Sequence, residues 1–548
     1  MKKVLLMTAA IMVAVIFFLL LTLPPRPASL TATSSPDLQR RTVAGAYHIH
    51  STRSDGAAGK DEIAAAAARA GLAFIILTDH GDGMRTPDAP AYIHGVLCLD
   101  AIEISTNGGH YVALDMQPSP YPLGGEPSAV VEDVRRLGGF GIVAHPDSPK
   151  TQLAWSDWDA PFDGIEWLNA DSEWRDESRA RLAEILFDYF LRPAPALASM
   201  LDRPVTTLRR WDELTEHRRV VALAGVDAHG GIGRGMEEGG KRQSALGHIP
   251  SYEASFRSFT TRAVLDRPFS GGAASDAREL VRAIRTGKVF TVIDAIASPG
   301  FIGIDSSGSD RSTVDVTMPG GGELIMVRGG HDSEPLRVDP SGRYAFTTDG
   351  MRGAVRFEVR VPGAPGTPPV PWLVSNPIYF SPAGDEEPPP SLKDEVVAAL
   401  AADASWHVEK DPESKATTSA AAGEVRFDYT LGAGSRHSQF AAAVTDFQER
   451  QLGFGALTFS VAAARPARVS VQLRYPSGGG ERWAHSVYAD STPRMARVPI
   501  DRLVPADLQR GPAPDPSTAR SLLFVIDLTN ARPGDSNSIR ISDVKFVR

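Results

Sequence analysis

Residues 43–56 read VAGAYHIHSTRSDG, an apolar, β-rich run that ends in two histidines and continues into an Asp-Gly turn. In a strand, the spacing of His48 and His50 puts both rings on one face, about 7 Å apart along the chain. Two imidazoles so placed can bind one metal ion. With Asp55 in the following loop, the stretch predicts a strand whose end carries metal ligands.

Seven β-rich runs alternate with helical segments over residues 42–293, as a parallel α/β architecture requires. The predicted helices include 61–70, 128–137, 177–191 and 276–286, and the last of these precedes a strand at 288–293. Seven strands suggest a barrel. They are predicted at 43–48, 73–78, 96–104, 111–114, 141–144, 164–168 and 220–226.

Imidazoles and carboxylates recur where these strands end. In α/β barrels the C-terminal strand ends converge on one mouth, so residues far apart in sequence become neighbours there. A single histidine at a strand end is more often a structural residue, but six of the thirteen histidines fall into this pattern within the first 229 residues. The predicted metal ligands are His48, His50, Asp55, His80, Glu103, His110, His145, Asp227 and His229.

Composition limits the alternatives. The 548 residues carry 66 acidic and 57 basic side chains, a net charge of -9, and 42% are hydrophobic, as in ordinary globular proteins. An acidic balance without basic blocks argues against a nucleic acid polymer as partner. Because Cys98 is the single cysteine, a metal site must use His and carboxylates. One zinc ion takes about four ligands, so nine suit two or three divalent ions, and such donors fit Zn, Mn or Fe.

The motifs together resemble the polymerase and histidinol phosphatase (PHP) superfamily of metal-dependent phosphoesterases. The resemblance rests on His-x-His-x4-Ser-Asp-Gly at 48–56, Thr-Asp-His at 78–80, the isolated Glu103, Gly-His at 109–110, Ala-His-Pro at 144–146 and Val-Asp-Ala-His at 226–229. It covers about residues 42–295 and implies a distorted (β/α)7 TIM-like barrel. The longer architecture is similar to the carbaryl-hydrolase-like metallohydrolase branch.

The resemblance also implies how the ligands divide. The first ion would be held by His48, His50, Glu103 and Asp227, with Glu103 bridging to a second ion that His110 and His145 also hold. Asp55, His80 and His229 would hold a third. Because every expected ligand type is present, the chain does not resemble a degenerate, inactive copy.

Hydrolysis of a phosphate ester by a metal-bridging hydroxide is the favoured activity, on a small-molecule substrate. Asp79 and Asp147 adjoin ligands and could orient imidazoles or shuttle a proton, while Arg53, Arg234 and Lys241 are candidate substrate clamps. Two alternatives stay open. The same site could hydrolyse a carboxylic or carbamic ester, or the chain could be a non-catalytic surface protein with structural metals.

The N-terminus predicts an extracytoplasmic protein. Lys2 and Lys3 precede an uncharged apolar run to residue 23, which is long enough to cross a membrane as a signal anchor and could also be a signal peptide. The lysines should stay in the cytoplasm. The remainder would then be periplasmic or at the cell surface, either anchored or secreted, and residues 24–41 would form a linker.

Beyond residue 298 the helical signal nearly vanishes, which predicts two all-β domains after the barrel of residues 42–298. The first is an immunoglobulin-like sandwich at 299–384, and the second is a jelly-roll domain at 405–548. A linker with one short helix, at 392–401, would occupy 385–404. These β domains could bind carbohydrate, with Trp372, Trp406 and Trp483 as candidate stacking residues, or could simply pack on the barrel and shape its mouth. Tryptophans in sandwiches more commonly lie in the core, so the sequence assigns no ligand to these domains.

Overall fold

The computed structural model describes residues 2–231, 249–305, 311–349, 351–380, 394–421, 423–433, 439–447, 453–476, 481–506 and 514–548. The α-helices within these ranges lie mainly in the first half of the chain. They are α1 (Lys2–Thr22), α2 (Pro36–Arg41), α3 (Lys60–Arg69), α4 (Pro127–Arg136), α5 (Ala170–Asp176), α6 (Arg179–Tyr189), α7 (Pro193–Ala198), α8 (Val205–Thr215), α9 (Tyr252–Ser258) and α10 (Ala273–Arg285).

The strands of the first half alternate with these helices. They are β1 (Ala28–Ser29), β2 (Thr42–Ile49), β3 (Phe74–Leu77), β4 (Ala91–Ile93), β5 (Val96–Asp100), β6 (Ile102–Thr106), β7 (Gly109–Leu114), β8 (Phe140–Ala144), β9 (Gly164–Asn169), β10 (Val221–Ala228), β11 (Thr260–Val264), β12 (Val289–Val292) and β13 (Ala297–Ser298).

Seven of these strands pair in a closed ring. β2 pairs with β3 and β3 with β5, and β5 continues through Ala101 into β6. The ring then runs through β7, β8, β9 and β10, which pairs again with β2. Counting β5 and β6 as one strand, the ring uses the seven strands that the sequence predicts. Several are buried along their whole length, as strands covered on both faces are.

The ring departs from a regular (β/α)7 barrel at one strand. β7 runs antiparallel to both β6 and β8, whereas the other pairings of the ring are parallel. Only residues 107–108 separate β6 from β7. A parallel connection needs a crossover of a dozen or more residues, so this short link can form only a hairpin.

The middle region contains two sheets, but one of them continues the barrel sheet. Its strands are β14 (Ile302–Asp305), β15 (Arg311–Val316), β16 (Glu323–Arg328), β17 (His331–Asp332), β18 (Arg343–Thr347), β19 (Gly353–Arg360), β20 (Leu373–Ser375) and β21 (Ile378–Phe380). β14, β15 and β18 form a separate sheet, while β20 pairs with β12 and extends the barrel sheet through β19, β16 and β17. Pairing with β20 covers an edge of β12 that would otherwise be open.

The C-terminal region is a two-sheet sandwich. Its strands are β22 (Val396–Ala399), β23 (His407–Lys410), β24 (Lys415–Ala421), β25 (Glu424–Thr430), β26 (Phe440–Asp446), β27 (Ala456–Ala463), β28 (Ala467–Arg474), β29 (Arg482–Ala489), β30 (Arg494–Pro499), β31 (Val504–Pro505), β32 (Ser521–Asp527) and β33 (Ser536–Val547). The orders β25-β33-β27-β30 and β26-β32-β28-β29 are those of a jelly roll.

The helix predicted at 392–401 is wrong over its described part. Val396–Ala399 is strand β22, which pairs antiparallel with β33. Residues 381–393, with the acidic proline-rich stretch, lie outside the described residues. Two adjacent valines favour a strand, and the partner that pairs with them lies about 150 residues further along the chain. Tertiary pairing has therefore overridden a weak helical pattern.

The sandwich packs on the barrel through a buried ion pair. Arg468 of β28 and Asp133 of α4 each have 1% exposed side chains, and their closest N–O distance is 2.7 Å. Arg136 and the Tyr121 hydroxyl also donate to Asp133, each at 2.8 Å. At another point of contact, Arg532 pairs with Asp82 at 2.7 Å.

The segment predicted as a linker at 24–41 carries two short elements. β1 pairs with β13, and α2 buries Leu38. The apolar run before it forms α1. In the part of the chain that the structure describes, no helix combines the length and apolar character needed to cross a membrane.

Candidate metal centre

The site lies at the ends of the ring strands. His48 and Asp227 are the last residues but one of β2 and β10, and His145 directly follows β8. All three have positive φ, at 67°, 43° and 29° respectively. Non-glycine residues rarely adopt this left-handed region, and such strain is concentrated at functional sites. The backbone thus turns the side chains of these three residues out of the regular strand pattern.

Glu103 of β6 is the centre of the cluster. Its side chain is 1% exposed, so its oxygens are shielded from water. Five imidazoles surround it. Two of them face Oε1: His110 Nδ1 lies at 2.8 Å and His145 Nε2 at 3.0 Å. The other three face Oε2: His80 Nδ1 lies at 3.1 Å, His50 Nε2 at 3.3 Å and His48 Nε2 at 3.4 Å.

Asp227 and Asp55 join the remaining ligands. Asp227 Oδ1 lies 3.3 Å from His50 Nε2 and 3.5 Å from His48 Nε2. Asp55 Oδ2 lies 3.2 Å from His229 Nε2, and its Oδ1 lies 3.4 Å from His50 Nδ1. The structure therefore brings all nine predicted ligands into one cluster.

Two buried atoms at its centre test whether the cluster fits metal ions. His48 Nε2 and Glu103 Oε2 face each other at 3.4 Å, and neither has a hydrogen-bond partner among the described residues. An unpaired buried polar atom is costly, so such atoms need an explanation. Among the described residues, four groups of three have their donor atoms within 4.8 Å of one another. They are His48, Glu103 and His145; His48, His50 and Asp227; His50, Asp55 and His80; and His80, Glu103 and His110. Imidazole nitrogen with carboxylate oxygen is a donor set that Zn²⁺ accepts. The residues therefore fit divalent ions.

Opposite charges within the cluster keep the carboxylates ionised. Burial alone would raise the pKa values of Glu103 and Asp227, but the imidazoles, His48 foremost, hold both well below the usual range. Burial would lower the pKa of His48, yet Asp227, Glu166 and Glu103 raise it well above normal. The pKa of His145 rises to about 9 because Glu103 outweighs its burial. Ionised carboxylates are the form that binds a cation.

Sequence reasoning missed Glu166, which orients the ligands from behind. Its Oε1 lies 2.6 Å from His48 Nδ1, and its Oε2 accepts from the His145 backbone N–H and from Asn169 Nδ2, both at 2.7 Å. Such a contact fixes the tautomer of a ligand histidine, leaving Nε2 free to coordinate. A charged residue inside the apolar run 164–168 was the signal that could have revealed it.

Tyr252 was also missed, although it fastens two ligand loops together. Its hydroxyl lies 2.7 Å from the His50 carbonyl oxygen and 3.0 Å from that of His229. The same oxygen accepts from the Ala57 backbone N–H at 3.2 Å. The loop after β2 and the end of β10 are thereby held at a fixed separation.

The predicted catalytic carboxylates contact hydroxyl groups. Asp79 accepts from Ser51 and Ser54, with each oxygen–oxygen distance 2.7 Å, and Ser54 Oγ lies 3.4 Å from His50 Nδ1. The Asp79 carboxylate is thus linked to the His50 imidazole through Ser54. Asp147 is exposed and accepts from the Thr207 hydroxyl at 2.9 Å.

Among the predicted substrate clamps, Arg53 lies in the loop between His50 and Asp55. Its guanidinium pairs with Asp88 at 2.7 Å and with Asp100 at 3.1 Å, and the side chain is 36% exposed. The carboxylates hold it in a defined orientation. Arg234 and Lys241 lie outside the described residues.

The cluster has a buried floor and an open rim. The side chains of His48, His50 and Glu103 are at most 1% exposed, whereas those of His80 and Asp55 are 34% and 28% exposed. A molecule in solution can therefore reach the rim ligands.

The comparisons with known proteins give only distant similarities, so the functional assignment rests on the residues of the site. No protein-family model matches the chain, and no curated protein matches it significantly. A solved two-domain protein with a predicted PHP-like metal-dependent phosphoesterase, from Bacteroides vulgatus, is 14% identical over 65% of this chain and 99% of its own, with a TM-score of 0.29. A family 11 carbohydrate-binding module from Clostridium thermocellum is 14% identical over 27% of this chain and 94% of its own, with a TM-score of 0.23. Similarities this distant establish neither a fold nor a function for the chain.

The candidate stacking tryptophans do not form an exposed platform. Trp372 is fully buried, and its indole N–H donates to the Ala297 carbonyl. Trp483 is 6% exposed, and Trp406 packs against Phe524 with ring centroids 6.0 Å apart. All three contribute to packing.

Proposed function

We propose that this protein is a multinuclear metal-dependent hydrolase, with a phosphate ester of a small molecule as its preferred substrate. The supporting observation is the nine-ligand cluster around Glu103, with two buried atoms at its centre that make no hydrogen bond to any described residue. The barrel type proposed is that of the PHP superfamily, in the carbaryl-hydrolase-like branch. The motifs at the strand ends support that proposal.

Two or three divalent ions would be held by the nine ligands in the division that the resemblance implies. When bound, they would supply Lewis acidity and lower the pKa of water at the site. Around them, Glu166 holds His48 with Nδ1 protonated, and Tyr252 holds the two ligand loops together. The buried floor keeps the ligands at fixed distances and excludes water from behind.

The rim is where substrate would bind. His80, Asp55 and His229 are partly exposed, so the third ion site would be the most accessible to a ligand. We propose that Arg53 binds an anionic oxygen of the substrate, because its orientation is already fixed by Asp88 and Asp100. An ion with a solely structural role would not need partly exposed ligands.

The test combines metal analysis with three substrates. The full chain, reconstituted with Zn²⁺, Mn²⁺ or Fe²⁺, is assayed for metal content and for hydrolysis of p-nitrophenyl phosphate, bis(p-nitrophenyl) phosphate and a naphthyl carbamate. We expect two or three ions per chain and cleavage of a phosphate ester. His50→Ala should remove at least one ion and reduce turnover more than 100-fold. His94→Ala is the matched control, because that imidazole is 45% exposed and pairs with Asp61 outside the cluster.

Each result separates the alternatives. Cleavage of the carbamate alone would replace the phosphoesterase proposal with carboxylic or carbamic ester hydrolysis. Bound metal without turnover of any substrate would favour a surface protein with structural ions. Less than one ion per chain after reconstitution would overturn the metal site itself.

We also propose an extracytoplasmic location, because Lys2 and Lys3 precede the apolar residues of α1. Labelling of the chain by a membrane-impermeant reagent in spheroplasts, where the cytoplasmic membrane is the remaining barrier, tests this. Protection from the reagent until the spheroplasts are lysed would refute it.

A further inference from the structure

Large apolar side chains are exposed together at one place on the folded body. Phe187, Phe190 and Leu191, at the end of α6, are 47%, 68% and 53% exposed. Away from α1, the other large hydrophobic residues exposed among the described ones lie at separate positions in the chain: Val205, Val396, Met495 and Val504. Soluble surfaces rarely group such residues without a binding partner. We call residues 187–191 the α6 apolar patch.

The chain ties this patch to the end of α1. The guanidinium of Arg192, the residue next to the patch, donates to the Pro24 carbonyl. Pro24 lies two residues beyond Thr22, where α1 ends, so a chain segment of at most about 7 Å links α1 to this contact. Further along, Ala28 N–H donates to Ile296 O at 2.9 Å, which fixes the segment to the body.

α1 itself presents apolar side chains to its surroundings. Nine of its large hydrophobic residues are 46–76% exposed: Leu5, Leu6, Met7, Ile11, Met12, Val13, Val15, Ile16 and Phe17. A helix that is apolar all round needs a nonpolar medium. The end of α1, and the medium around it, therefore lie no further from the patch than two residues of chain and one arginine side chain can reach.

We propose that the α6 apolar patch rests in the same lipid surface that takes up α1. The tether at Pro24 and Arg192 sets the orientation of the barrel on that surface, with Phe190, the most exposed of the three, inserted furthest. The proposal requires lipid contact of α1 and does not require α1 to cross the bilayer. It is independent of the metal chemistry, so the failure of one proposal leaves the other intact.

The test depends on the single native cysteine being buried. Cys98 is fully buried, so a thiol introduced at the surface can be labelled selectively. Phe190→Cys and Leu191→Cys, each in the full chain, carry an environment-sensitive nitrobenzoxadiazole label. Met495→Cys is the matched control, since this residue is 64% exposed and lies on β30 of the C-terminal sandwich, outside the patch.

Labelled chains are reconstituted into vesicles of phosphatidylcholine and phosphatidylglycerol with or without lipids that carry a shallow nitroxide quencher. We expect a blue-shifted emission and at least threefold stronger quenching at 190 and 191 than at 495. Equal, weak quenching at all three positions would overturn the proposal. A blue shift that rises with protein concentration but is insensitive to the quencher would also overturn it, by showing that a second copy covers the patch.

Discussion

Replacing Glu166 by glutamine should weaken metal binding although Glu166 is not itself a ligand. The two oxygens of its carboxylate accept three donors: His48 Nδ1, the His145 backbone N–H and Asn169 Nδ2. A glutamine of the same shape offers one oxygen and one NH2 group. Glu166→Gln therefore cannot satisfy all three donors at once.

Each orientation of the amide has a cost. If its NH2 group faces His48, the Nδ1 proton must move to Nε2, the atom that points toward Glu103 and Asp227. If the NH2 group faces the other way, two buried donors lose their acceptor, at about 1–3 kcal/mol each. Substitution of such an outer residue typically reduces metal affinity 10–100-fold, which corresponds to about 1.4–2.7 kcal/mol.

The assay is chelator competition for Zn²⁺ and Mn²⁺ on the full chain. Asp61→Asn is the matched control, because Asp61 also pairs with a histidine, His94 at 3.1 Å, but at the exposed surface. We expect the control to bind metal like the unmodified chain. An affinity of Glu166→Gln within twofold of the unmodified chain would refute the role assigned to this carboxylate, and an equal loss in both variants would show that the effect is not specific to the site.

Two further predictions concern stability. Burial, with Asp176 nearby, raises the pKa of Glu173 to about 9, so its contribution to the free energy of unfolding is fully present below about pH 4 and is lost as the pH rises toward 9. The free energy of unfolding of Glu173→Gln, relative to that of the unmodified chain, should therefore be higher at pH 8 than at pH 4 by on the order of a few kcal/mol. Denaturation curves that show the same difference between the two chains at both pH values would contradict this. Arg468→Met should cost about 3 kcal/mol, because it leaves Asp133 buried with fewer partners. Arg497→Met, which removes an exposed pair with Asp394, should cost under about 1 kcal/mol. Urea titration of both variants measures these losses, and similar losses in Arg468→Met and Arg497→Met would contradict the buried-pair argument.

The sequence predicted the strands of the ring well because their signal is local. Each is a short apolar run between helical segments, and the seven runs are the seven strands of the ring. The direction of β7 was not predicted as antiparallel, although the two-residue link before it requires a hairpin. Residues 396–399 fit a helical pattern locally but form a strand, because their partner, β33, is distant in sequence. The extension of the barrel sheet by β20 is equally non-local.

For the site, the sequence by itself determined which residue types stand at the strand ends, because His-x-His and Asp-x-His place donors on one face at fixed spacing. Tertiary structure decided the rest. Glu166 and His48 are 118 residues apart yet lie 2.6 Å from each other, and Arg53 is committed to two carboxylates that follow it by 35 and 47 residues. Periodicity along a chain records which face a residue occupies, whereas the partner it meets there depends on how the strands close into a ring.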